Sequence, residues 1–99
     1  MEELNIIKFE NQENILNEIK QYRVQKVKEY QQLLLNKYQT TKEQHYKKYN
    51  NIFLKKSQHL YNISIDLILE ATEEQLILIC IDWKRKLNDL YNECINKMN

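Results

Sequence analysis

The sequence predicts an all-α fold, a long antiparallel helical hairpin, and three observations carry that expectation. The 99-residue chain contains no glycine and no proline, so it lacks the two residues that break helices by backbone chemistry alone. Its apolar residues recur every 11 positions, and acidic and basic residues stand at the ends of its two long runs in the sense that the helix dipole favours.

The repeat is read in steps of 11. Leu16, Val27, Tyr38, Tyr49 and Leu60 form one row, Ile19, Tyr30, Thr41, Ile52 and Ile63 a second, and Arg23, Leu34, His45, Lys56 and Leu67 a third. Eleven residues make three turns, so such rows run nearly straight along one helix face instead of drifting into a left-handed supercoil. A second set follows in another phase: Ile65, Leu76, Leu87 and Met98; Ile68, Ile79 and Leu90; Leu69, Cys80 and Tyr91; Thr72, Trp83 and Cys94. No row of the second set continues one of the first. The slip falls between Lys56 and Ile65, where Ser57, Gln58, His59, Asn62 and Ser64 supply side chains that compete with helical hydrogen bonds. The expected organisation is one domain over residues 1–99, with a short N-terminal segment over 1–10, a helix over about 12–56, a turn over about 57–63 and a helix over about 64–98.

End charges agree with that division. Glu10 and Glu13 precede the first run and Lys55 and Lys56 close it, while Asp66 and Glu70 open the second and Lys97 closes it. Three local alternatives compete. Thr40 and Thr41 followed by Glu43 and Gln44 resemble a capping box, which would break the first helix and give a three-helix bundle. Thr72-Glu73-Glu74-Gln75 is a second capping box, able to divide the C-terminal helix. The alternation of Ile63, Ile65, Leu67 and Leu69, with the apolar run 76–81, also fits a β-hairpin, but Glu70 to Gln75 has no turn chemistry.

Composition narrows the class. A 12.2 kDa chain with 42% hydrophobic residues has material for a single modest core. The N-terminus opens on Glu2 and Glu3 without a basic region before an apolar run, and the densest apolar run, Leu76 to Ile81, is far short of a membrane span of ~20 residues. The expectation is an intracellular, cytoplasmic protein with no membrane span. Cys80 and Cys94 lie 14 residues apart on one predicted helix, about 21 Å by its rise, so they read as small core residues and not as a disulfide.

Helix lengths turn the fold into a statement about function. The first expected helix is about 65–70 Å long and the second about 50 Å, so the second runs out opposite Arg23. Ile15, Leu16, Ile19 and Tyr22 then overhang, with Leu4, Ile6, Ile7 and Phe9 available to cover only part of them. In the same register Tyr38 lies level with Trp83 and Leu34 with Leu87. The second helix is apolar around its circumference, since 13 of the 21 residues from Ile63 to Trp83 are apolar. A helix of that kind is normally enclosed on several sides. The expected partner interface therefore comprises Ile15, Leu16, Ile19 and Tyr22 together with Leu76, Ile77, Ile79, Ile81 and Trp83, with Trp83 as an anchor. The protein reads as a non-enzymatic structural or adaptor subunit, held in a multi-protein assembly or a homo-oligomer.

The alternative is a polyanion or nucleic-acid surface. Residues 20–56 carry ten basic side chains against two acids, a local net of +8, with tyrosines interleaved. Lys26, Lys37 and Lys48 form a row, and Lys47 and Lys55 belong to the same region. Against this, the basic residues surround the helix, and the chain has 13 lysines but only two arginines, the better readers of phosphate and guanine. Catalysis has no support: His45 and His59 lack metal-ligand spacing, no carboxylate completes a site, and glycine-rich phosphate loops are excluded by composition. No cofactor or metal is expected.

Overall fold

The computed structural model describes the backbone of residues 2–37 and 43–98 and the side chains of residues 10–37 and 44–97. These residues form three helices, α1 over Glu2–Lys37, α2 over Glu43–Glu70 and α3 over Glu73–Met98, with no strand among the described residues. The fold is all-α, as the sequence predicts. Each helix packs against both of the others. Gln12, Arg23 and Tyr30 of α1 meet Ile68, Ser57 and Phe53 of α2, so those two helices run antiparallel. Asn11, Glu18 and Tyr30 meet Glu73, Lys84 and Tyr91 of α3, so α1 and α3 run parallel. Together they make a slender rod of 60 × 17 × 15 Å.

The turn expected at 57–63 is absent, because α2 runs through those residues without a break. Ser57 and Ser64 explain the difference. Each hydroxyl donates to the carbonyl three residues earlier, Ser57 to Leu54 at 3.1 Å and Ser64 to Tyr61 at 2.6 Å. Their competing hydrogen bonds are absorbed inside the helix, and both side chains are buried. The helix expected to start near residue 12 starts at Glu2, with no separate segment over 1–10. Nothing before residue 12 breaks a helix, and Asn11 and Gln12 use their amides across the bundle. The side chains of Leu4, Ile6, Ile7 and Phe9 lie outside the described residues, as do Tyr38, Thr40 and Thr41 and the break considered near Thr40.

The chain reverses instead at Ala71 and Thr72, at the second capping box. The Thr72 carbonyl accepts from the amides of Gln75 and Leu76 at 3.0 and 3.2 Å, and the Gln75 side chain accepts from the Thr72 amide at 3.0 Å. That is the reciprocal half of a capping box. The C-terminus of α2 has no glycine to close it and no base in its last turn. Gln12 supplies the missing donor from α1, its amide lying 3.1 Å from the Ile68 carbonyl and 3.4 Å from that of Leu69. Asp66 and Glu70, which read as acids opening a helix, stand near the wrong end of one.

Side-chain packing follows the three elements. In α3 the buried residues are Leu76, Cys80, Trp83, Leu87, Leu90 and Cys94, a four-three alternation that forms a heptad seam. In α2 the 11-residue spacing persists, carried by Phe53 with Ser64 and Ser57 with Ile68, and Leu60 continues it to Ala71 just beyond the helix. Of the expected rows, Ile63, Lys56 and Leu67 are exposed. One ring from each helix meets at the centre: Tyr30 lies 4.7 Å from Phe53 and 6.1 Å from Tyr91, and Phe53 lies 6.2 Å from Tyr91, the last two contacts edge-to-face. Replacing Leu87, which is wholly buried, by alanine is expected to cost about 3 kcal/mol in urea denaturation. Leu35→Ala, at a half-exposed site on α1, is expected to stay within about 0.5 kcal/mol. Equal costs at the two sites would contradict this packing.

Candidate interaction surface

The face of α2 and α3 turned away from α1 carries a long groove. Its segment nearest the reversal has a volume of about 530 Å³, with Ile63 and Leu67 on one wall and Leu78, Ile79 and Trp83 on the other. Glu70, Gln75, Asp82 and Lys86 edge it. A second segment, also about 530 Å³, continues it through Leu60 and Lys86, which line both, and is bordered by charged groups: Lys55, Lys56, Asp89 and Glu93, with His59 beside them. The groove is apolar within, and charged side chains border its far segment.

Apolar exposure extends from the groove onto the outer side of α3. Leu78, Ile77 and Ile81 are 66%, 63% and 60% exposed, beside Ile63 and Leu67 at close to half. The reason is local. The α3 heptad buries one stripe, but residues 76–81 are apolar at every position, so those off the stripe have nowhere to go. Around them the charges are paired along the helix: Asp82 accepts from Lys86 at 2.8 Å and from Arg85 at 2.7 Å, and the hydrogen bond from Lys86 holds the Asp82 carboxyl below its ordinary range.

The residues expected at a partner interface divide into three groups. Ile19, Leu76 and Trp83 are core residues, and of these Trp83 alone also lines the groove. The correction follows from the third helix, which packs where the hairpin left α1 uncovered. Ile15, Leu16, Tyr22 and Ile79 are half-buried and packed against that core, so the expected overhang is filled from within. Ile77 and Ile81 are exposed. Trp83 meets Tyr22 edge-to-face at 6.2 Å, in place of the expected Tyr38. Its indole nitrogen is buried and meets no hydrogen-bond acceptor among the described residues. Exposed Ile63, Leu67 and Leu78 were missed as surface residues; once the reversal is moved to 71–72, helical spacing places them off the buried stripes.

The basic region is split by the same rearrangement. Lys26 and Lys37 lie on α1 and Lys47, Lys48 and Lys55 on α2, so the row expected along one continuous helix is divided between two antiparallel ones. Lys26 is tied down at the α1–α3 seam, 3.3 Å from Glu29 and 4.8 Å above the Tyr91 ring. Lys48 lies 5.8 Å from the centre of the Tyr49 ring, while Lys37, Lys47 and Lys55 are exposed. Among the described tyrosines of this region, Tyr30 is buried, and Tyr22, Tyr46 and Tyr49 pack against the core.

Two polar groups on the old seam also find places. The Arg23 guanidinium donates to the Ser57 hydroxyl at 3.0 Å and the Leu54 carbonyl at 3.3 Å, and burial lowers its pKa, with Tyr61 acting in the opposite sense. His45 is half-buried with its ring 6.5 Å from that of Tyr49, near the start of α2 and so far from Leu76 at the start of antiparallel α3. His59 is exposed. Among the described residues no group of three or more His, Cys, Asp and Glu is placed to hold a metal ion, and no helix is long and apolar enough to cross a membrane. No protein-family model matches the chain, and no curated protein or solved structure is significantly similar to it.

Cys80 and Cys94 are buried, and burial raises both thiols above their ordinary 9.0. A thiol is nucleophilic as its thiolate, so both are expected to react slowly with a disulfide reagent at neutral pH and fully in denaturant. Because the folded values are raised, their contribution to stability is present below the unfolded thiol value and is lost as pH rises through the folded ones. Urea midpoints are therefore expected to fall above about pH 9. Rapid labelling of both thiols in the native protein would contradict their burial.

Proposed function

We propose that the protein is a non-enzymatic structural or adaptor component that associates through helix packing, using the outer face of α2 and α3. The observation that carries this is the exposure of Ile63, Leu67 and Leu78 at the groove, with Ile77 and Ile81 exposed beside Leu78 on α3. Isolated exposed aliphatics such as Val24 and Leu35 on α1 are ordinary, whereas a contiguous patch with polar edges is what contact surfaces present. A groove between two antiparallel helices, apolar within and charged along its borders, fits a third helix laid along it.

The polyanion alternative has weaker support, since its lysines are distributed over two helices and Tyr22, Tyr30, Tyr46 and Tyr49 are engaged in packing.

The test is made in extracts of the cells of origin. Tagged wild-type chain is expected to migrate in a species larger than its own monomer, and a Leu78→Asp/Ile81→Asp variant at monomer size, with circular dichroism confirming that both are equally helical. Migration of the wild type as a monomer, or unchanged migration of the double variant, would contradict the proposal.

A further inference from the structure

We infer that the occupant of this surface is a second copy of the chain, packed antiparallel through α3 about a two-fold axis. The inference rests on reading the α2–α3 face as a contact surface, and it goes further by naming what covers that face.

The pattern on α3 carries it. Glu74, Leu78, Ile81 and Arg85 are spaced four, three and four residues apart, all are exposed, and at 100° per residue they lie on the side of the helix opposite the buried seam of Leu76, Cys80, Trp83 and Leu87. The stripe reads acid, apolar, apolar, base. Such an order is complementary to itself when reversed. If two copies of α3 lie antiparallel with the axis midway between Leu78 and Ile81, Leu78 of one packs on Ile81 of the other and Glu74 faces Arg85, twice by symmetry. Parallel pairing in register would set Glu74 against Glu74 and Arg85 against Arg85, and is disfavoured by the same charges.

The neighbouring groups fit this arrangement. Glu74 makes no hydrogen bond or ion pair among the described residues, so it is free to take a cation. Arg85 gives one nitrogen to Asp82 at 2.7 Å, and a guanidinium has donors remaining for a second carboxylate. Asp82 thus positions Arg85 without satisfying it. On the groove side, Ile63 and Leu67 of α2 stand beside Leu78, where they extend the apolar contact to a second element. The antiparallel pair then covers Leu78 and Ile81, the apolar positions that the bundle leaves open on the side of α3 opposite its buried seam.

The experiment is sedimentation equilibrium on the purified chain and three charge variants, with circular dichroism on each. The wild type is expected to be dimeric at micromolar concentration. Glu74→Arg and Arg85→Glu, each creating two like-charge contacts across the axis, are expected to weaken dimerisation at least about tenfold. The double variant Glu74→Arg/Arg85→Glu, which exchanges the charges, is expected to recover most of the wild-type affinity. Both substituted positions are exposed, so helicity is expected to be unchanged. A monomeric wild type would overturn the inference while leaving the extract experiment to decide whether the face binds another protein. A dimer insensitive to the single reversals, or a double variant no better than either single one, would overturn the antiparallel α3 arrangement.

Discussion

A chain without glycine has to end one helix and begin the next with side chains, and the register of the bundle depends on how it does so at Ala71 and Thr72. Four backbone carbonyls are left open at the end of any helix, and the usual closure is a glycine in a left-handed conformation. Here Gln12 comes from α1 to donate to Ile68 and Leu69, while Gln75 caps the start of α3. Together with Asn11, which donates to Glu73 at 3.4 Å, these contacts bring all three helices to the reversal. They set α1 against α2 at one end of the rod, and the ring cluster of Tyr30, Phe53 and Tyr91 carries the same register further along it.

The position of that reversal decides which residues face outwards. With α3 starting at Glu73, the heptad seam takes Leu76, Cys80, Trp83 and Leu87 inwards. Leu78 and Ile81 then point the other way, between an acid one turn before and a base one turn after. Burial inside the bundle and exposure outside it are thus two faces of one apolar segment. The three helices leave Leu78 and Ile81 open, and the association proposed for this face would cover them at about 25 cal/mol for each Å² removed from water.

Much of the fold was legible in the sequence, and the errors have identifiable causes. The absence of glycine and proline and the long-period apolar spacing specify helix throughout. Cys80 and Cys94 were readable as core residues from their common face. The reversal was misplaced because Ser57 and Ser64 were judged by their preference for turns, whereas serine bonded to a carbonyl three residues back sits comfortably in a buried helix. Asp66 and Glu70 reinforced the error, since their charge suggests a helix start and Gln12, distant in sequence, supplies the compensation. The capping box at Thr72 was visible but was outweighed by apolar rows that cross it by coincidence of phase. Moving the turn by ten or so residues exchanged Trp83 and Leu76 for Ile63, Leu67 and Leu78 on the surface, while Ile77 and Ile81 kept their places.

The most direct measurement is a distance between copies, by double electron–electron resonance on chain spin-labelled at a single cysteine introduced at exposed Asp89, beyond the contact stripe, with Cys80 and Cys94 unlabelled in the core. An antiparallel α3 pair with helix axes about 8–10 Å apart sets the two labels roughly 30 Å from each other. A single distance of that order in undiluted protein, lost when labelled chain is diluted with excess unlabelled chain, is the expected result. The absence of any dipolar coupling at concentrations where copies meet would contradict the second-copy arrangement.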